Sequence, residues 1–309
     1  YRRNPHLTSK FDPEVDTWLK AMFQENYPTV EQWIGWALAF EDGEICALSV
    51  VGDPGCGKKM FVQGLAECLE YPRIATGEDL VGNWQYGLEK SPFLNINEGW
   101  PNQKQKAPAD MFRSLVSGDE RTINTKYAPP KEIFSQPRII LTANNYDVIY
   151  QLTGGKNLSY EDRHALAIRL LHYDIGGEAA QWLRDKGGRK FTSQKGHAWI
   201  CGPDFVVARH FLYLYENRKP APGNRFLVDG NQDEQVIFYM QTMSGHVPVV
   251  IECILRMLDT DMRQAGLVID EGRCYCTVHG VLNYFRVNFG NTIAEKLTSK
   301  TITSVFKTI

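Results

Sequence analysis

Gly52-Asp53-Pro54-Gly55-Cys56-Gly57-Lys58-Lys59 stands between two runs of different character. Before it lies the apolar Cys46-Ala47-Leu48-Ser49-Val50-Val51, which reads as a buried strand. After it comes Met60-Phe61-Val62-Gln63-Gly64-Leu65-Ala66-Glu67-Cys68-Leu69-Glu70, which reads as a helix. Strand, Gly-x-x-x-x-Gly-Lys, then helix is the context of a phosphate-binding loop. Glycines let the backbone curl so that successive N–H groups point at phosphates, and the helix N-terminus adds a positive dipole end. Lys58 is placed to reach the β- and γ-phosphates. The reading is a nucleoside triphosphate site, most simply for ATP, formed by Gly52, Asp53, Pro54, Gly55, Cys56, Gly57, Lys58, Lys59 and Met60. One position departs from the pattern. After the lysine a Ser or Thr hydroxyl normally ligates Mg²⁺; here the residue is Lys59.

The remainder of the chain is organised around that loop. Length alone, 309 residues, predicts about two domains. Hydrophobic content of 43% supports an ordinary core, and a net charge of −2 excludes a global basic field, so any nucleic-acid site must be local. Seven scattered cysteines, one inside the loop, point to free thiols in a reducing compartment. No apolar run of about 18 residues exists, so no membrane span is expected. The chain starts at Tyr1 without a visible signal peptide and is expected to be a fragment of a longer protein.

Asp12-Pro13-Glu14 is a helix start, followed at helical spacing by Val15, Trp18, Leu19, Met22 and Phe23. A second helix is predicted from Thr29, bearing Trp33, Ile34, Ala37, Leu38 and Phe40, and this aromatic stripe reads as packing. Strands are predicted at 46–51, 93–97 and 138–143, with a helix near 108–117, so the core reads as α/β with a mostly parallel sheet. After Gly187-Gly188 the chain grows rich in Gly, Pro and aromatic residues, with a helix from Asp204 to Tyr215. Residues 247–309 read as helix, strand, helix, helix.

Phe93-Leu94-Asn95-Ile96-Asn97-Glu98 is an apolar strand ending in polar residues. An acid at such a strand end holds Mg²⁺ or orients the attacking water. Glu98 is therefore the candidate general base, and Glu98 with Asn97 the candidate magnesium site. Asn97 stands where a first acid is common. Arg138-Ile139-Ile140-Leu141-Thr142-Ala143-Asn144-Asn145 is a third strand ending in Thr-x-Asn, and Asn144 is the candidate γ-phosphate sensor. Glu161-Asp162-Arg163 precedes an apolar run; Arg163 is a candidate arginine finger for a neighbouring subunit, and Arg113 a second cation. Cys274-Tyr275-Cys276 with His279 lacks a second ligand pair and reads as strand rather than zinc site. His164, His172, His197 and His210 are scattered and suggest no nucleophilic triad.

Over residues 46–175 these strand-end motifs, in this order, resemble the superfamily III helicases of small DNA viruses and phages. The pattern closest to hand is the helicase-like C-terminal region of phage primase-polymerases. It continues through Met111-Phe112-Arg113-Ser114-Leu115-Val116-Ser117-Gly118 and the hairpin-like Asp119-Glu120-Arg121-Thr122-Ile123-Asn124-Thr125-Lys126-Tyr127-Ala128-Pro129-Pro130. The resemblance implies an AAA+-like P-loop ATPase core at 46–190, a helical head or collar at 1–45 and an α+β tail at 191–309. It implies a homo-oligomeric, hexameric ring that binds ATP and Mg²⁺ and unwinds or tracks along DNA. Arg163 would be the finger, Arg113 a trans sensor, and Lys126 and Tyr127 a hairpin tip gripping single-stranded DNA in the central channel. Primase and polymerase domains of the same polypeptide would precede it, in a replisome in the host bacterial cytoplasm. Glu41, Asp42 and Glu44 replace the lysine that such helicases often carry before the first core strand. Two other readings stay open. A nucleotide-bound DNA clamp serving a polymerase suits Lys59 and Asn97; a small-molecule phosphotransferase would be a monomer with no use for the hairpin.

Overall fold

A computed structural model describes residues 1–40, 43–81, 88–89, 91–101, 108–117, 121–123, 129, 131–133, 136–145, 147–153, 158–187, 205–223, 225–230, 236–237, 240, 267–270, 273–277 and 279–280. Two compact units divide the chain, Tyr1–Ile237 and Phe238–Ile309.

In the first unit the elements run α1 (Pro13–Phe23), α2 (Tyr27–Ala37), β1 (Ala47–Gly52), α3 (Lys58–Glu67), β2 (Ala75–Thr76), α4 (Gly77–Val81) and β3 (Phe93–Asn97). They continue with α5 (Pro108–Val116), β4 (Arg121–Ile123), β5 (Lys131–Ile133), β6 (Arg138–Ala143), α6 (Asp147–Gln151), α7 (Tyr160–Ala167), β7 (Leu170–Ile175), α8 (Gly177–Asp185) and α9 (Val206–Glu216). A parallel sheet of five strands lies at the centre in the order β2-β3-β6-β1-β7. Its inner strands are apolar on both faces, as a sheet covered by helices requires: all six residues of β6 are buried, as are Ala47 to Val51 of β1. The predicted strands at 46–51, 93–97 and 138–143 match β1, β3 and β6 to within a residue.

Register decides what gathers at the strand ends. Asn97 pairs with Thr142, and Thr142 with Val50. The next residues, Glu98, Asn144 and the loop from Gly52, therefore emerge side by side at one edge. The carboxyl ends of parallel strands, where the order of connection reverses, are where open α/β sheets bind ligands.

Helix α1 begins as the sequence predicts, with Pro13 in its first turn. The Asp12 side chain accepts from the N–H groups of Glu14 and Val15, both at 2.9 Å. Helix α2 starts at Tyr27, two residues before the predicted Thr29. The stripe of aromatics is packing: Trp18 and Trp33 are fully buried. Each indole N–H reaches a core carbonyl, Trp18 to Cys56 at 3.0 Å and Trp33 to Cys46 at 2.7 Å. Residues 1–45, expected as a head, thus share their core with the sheet. Helix α9 seals the same layer, so close to α3 that a Cβ on Gly64 would meet Val207 at 2.5 Å. The unit boundary lies at 237/238, whereas the resemblance implied one at 190/191.

Strands β4 and β5 pair antiparallel, Ile123 opposite Lys131, so the expected hairpin exists. Its tip, with Lys126 and Tyr127, lies outside the described residues. In the second unit β8 (Leu267–Asp270) pairs antiparallel with β9 (Arg273–Cys276), confirming a strand through Cys274 and Cys276. Among the described residues no group of three His, Cys, Asp or Glu side chains is placed to hold a metal ion. No helix among them is long and apolar enough to cross a membrane.

Candidate functional site

The loop after β1 is built to wrap. Gly52 and Gly57 take φ of 153° and 99°, where a side chain is strained. At Gly52 a Cβ would meet the Ile175 carbonyl at 2.2 Å, and at Gly57 it would meet the Trp18 ring at 2.7 Å. Asp53, Pro54 and Gly55 are exposed at the mouth, while Cys56 is buried beneath. The Cys56 thiol donates to the Asp53 carbonyl at 2.9 Å, and burial raises its pKa. Met60 is buried under the first turn of α3. Trp18 was legible as core but not as the support of this loop; nothing in the spacing of α1 says which backbone its indole will meet.

Lys58 opens α3, and its ammonium folds back across the loop. Nζ donates to the Gly52 carbonyl at 2.6 Å, the Asp53 carbonyl at 3.2 Å and Asn144 Oδ1 at 2.9 Å. Asn144 in turn donates twice to Glu98, from Nδ2 at 2.6 Å and from its backbone N–H at 3.1 Å. The three residues singled out from separate strand ends thus form one hydrogen-bonded chain. Its terminal carboxylate belongs to a residue held at φ 59°, in the left-handed region. A non-glycine residue there is uncommon, and such strain concentrates at functional sites. The conformation is tied down by the Glu98 N–H donating to the Thr142 carbonyl at 2.8 Å. Beyond it, the Trp100 N–H donates to Gln151 Oε1 at 2.6 Å, pinning the turn to α6. Gln151 was not singled out from the sequence.

At the magnesium positions two of the three residues, Lys59 and Asn97, are poor ligands for the ion. Mg²⁺ needs oxygen ligands. Lys59 offers only N–H donors, is exposed, and makes no hydrogen bond or ion pair among the described residues. Asn97 Oδ1 is neutral and already accepts from the Thr142 hydroxyl at 2.9 Å, a hydroxyl it shares with Asn95 at 3.2 Å. Both Glu98 oxygens are engaged by Asn144.

The two arginines differ. Arg113 is partly exposed, and its Nη2 donates to the Asp162 carboxylate at 2.9 Å and the Asp162 carbonyl at 3.1 Å. That guanidinium, with the Ser159 hydroxyl, holds the Asp162 carboxyl below its usual range. Arg163 is buried at 8% exposure and its Nη1 donates to the Leu158 carbonyl at 2.5 Å. As a finger, Arg163 has to leave that carbonyl; within the chain as it stands the guanidinium is turned inward.

One buried polar arrangement involves His172. Ser49 Oγ lies 3.1 Å from His172 Nδ1, and His172 Nε2 lies 3.0 Å from Asp174 Oδ1. The order is that of a nucleophilic triad, and the signal was the pairing of Ser49 with His172 on adjacent strands. Ser49 is fully buried inside the sheet layer, so no substrate reaches it. The set satisfies buried polar groups.

A family of unknown function, DUF5906, matches residues 50–161, the stretch that holds Lys58, Glu98 and Asn144 but ends before Arg163. No curated protein matches the chain. Among solved structures, the apo C-terminal region of NrS-1 superposes with a TM-score of 0.58 at 14% identity, over 99% of this chain and 67% of that one. Its A form apo structure gives 0.56 at 14% identity with the same coverage. A JCV helicase bound to a substituted acetamide reaches 0.41 at 11% identity, over 91% of this chain and 65% of that one, too distant to bear on function. At such identity the likeness to NrS-1 carries the fold: a parallel α/β sheet with flanking helices, as the sequence resemblance implied.

Proposed function

We propose that this chain is the ATPase part of a DNA helicase or translocase that works as a ring, a hexamer, in phage DNA replication. The observation that carries the reading is the Lys58–Asn144–Glu98 chain at the mouth of the glycine loop. Lys58 now spends its charge on the loop's own carbonyls. A triphosphate would replace those acceptors, drawing Nζ to the β- and γ-phosphates while loop N–H groups cradle the rest. Asn144, between Lys58 and Glu98, would then sense the γ-phosphate. Glu98 would take a proton from water as its oxygen attacks the γ-phosphorus and the bond to the β,γ-bridging oxygen breaks. A neighbouring subunit would supply positive charge from Arg113 or Arg163, Arg113 being the more accessible. Lys126 and Tyr127, at the hairpin tip, would grip single-stranded DNA, and primase and polymerase domains would belong to the same polypeptide.

The test is ATP turnover by the intact chain with and without single-stranded DNA, alongside sedimentation with and without nucleotide. Strong stimulation and a nucleotide-dependent ring are the expected results. Lys59 and the engaged Asn97 favour a second reading, a nucleotide-bound DNA clamp supporting a polymerase. Binding of both ligands with no stimulated turnover would select the clamp, and a monomer indifferent to DNA would dismiss both.

A further inference from the structure

We infer that this site captures its nucleoside triphosphate without a divalent cation, Lys59 occupying the sequence position whose hydroxyl holds magnesium in a P-loop. The inference rests on the nucleotide reading above and narrows its cofactor. Two positions that normally contribute to the ion both depart from the pattern. Where the oxygen ligand belongs there is a lysine, and where a first acid is common there is the uncharged amide of Asn97. A magnesium ion beside Lys59 would meet like charge at close range, with no hydroxyl to coordinate.

Among the described residues, the oxygens nearest these positions are already hydrogen-bonded within the protein. The Asn97 carbonyl oxygen accepts from the Thr142 hydroxyl, which is 3% exposed and so has little water to turn to instead. Glu98 is bound at both oxygens by Asn144. Asp53, the carboxylate within the loop, lies toward β7: its Oδ2 is 3.7 Å from where a Cβ on Gly177 would stand, across β1 from Glu98. What the site does supply is positive charge. Lys58 and Lys59 are the first two residues of α3, a helix of 10 residues whose dipole has its positive end there. Two ammonium groups and a helix terminus can offset phosphate charge in the role a bound cation normally fills.

The experiment is equilibrium binding of a fluorescent ATP analogue to the intact chain, in excess EDTA and in excess magnesium. Wild type is expected to bind within about threefold under the two conditions. Lys59→Ser should lose about tenfold or more in EDTA and recover part of it with magnesium, and Lys59→Ser with Asn97→Asp should depend on magnesium more steeply. Lys59→Arg, which keeps the charge, should behave as wild type. Lys59 is exposed, and matching circular dichroism melts would establish that each variant is folded. Tight wild-type binding with magnesium that collapses on chelation overturns the inference and leaves the nucleotide reading standing. An absence of binding under both conditions removes the nucleotide reading, and the inference with it.

Discussion

Replacing Trp18 by Phe should loosen the glycine loop from behind, at a site no nucleotide touches. Trp18 is fully buried, its indole N–H donates to the Cys56 carbonyl at 3.0 Å, and its ring closes against Gly57. Phenylalanine keeps one aromatic ring but brings no donor. The Cys56 carbonyl then loses the indole partner, at a cost of about 1–3 kcal/mol. The missing indole atoms leave a void worth roughly 1–2 kcal/mol more. Together these give a loss of about 2–5 kcal/mol, large against the 5–15 kcal/mol typical of a folded domain but survivable. Urea unfolding followed by far-ultraviolet circular dichroism reads the loss, with the slope checked for constancy. Nucleotide affinity of the folded variant should also fall, by about tenfold, because the loop's wrapped shape leans on that ring. A stability change under about 0.5 kcal/mol with unchanged affinity would refute the idea that α1 holds the loop in shape.

Lys58→Ala should abolish nucleotide binding while sparing the fold, since the side chain bonds only at the loop mouth; undiminished binding in a direct assay would remove the loop from the site. Glu98→Gln should bind nucleotide like wild type and turn it over at least about a hundredfold more slowly, as loss of a general base predicts, and normal steady-state turnover would assign the water to another residue. Burial lowers the His210 pKa from 6.5 to about 4, against the pull of Asp16 and Asp12 and with the help of Lys20. Between those values the unfolded chain binds a proton that the folded chain does not, so this contribution is whole above pH 6.5 and fades as pH falls toward 4. The loss from pH 7 to pH 5 is about 2 kcal/mol. His210→Gln should flatten the urea-midpoint profile across that range, and a profile as steep as wild type's would place the titration elsewhere.

Local pattern made much of this molecule legible. The short apolar runs at 46–51, 93–97 and 138–143 read as buried strands of a covered sheet, and the Gly-x-x-x-x-Gly-Lys spacing already implied a loop closing onto a helix. Asp12-Pro13 marked the start of α1 because capping is satisfied within a few residues. Lys58, Glu98 and Asn144 were each visible as a strand-end or loop residue, since chemistry at such ends depends on short spacings. Their union was not: Lys58 and Asn144 are 86 residues apart in the chain and meet only through the register of β6 against β1. Nor did the sequence say that the indole of Trp18 would prop Cys56, that Gln151 would pin the turn after Glu98, or that Arg163 would turn inward. Those outcomes depend on which helix covers which face of the sheet. Periodicity and spacing are properties of neighbours in the chain, and they settled the elements and the chemistry at each end. The tertiary structure alone settled which groups share a hydrogen bond, because that follows from strand order and packing between segments far apart in sequence.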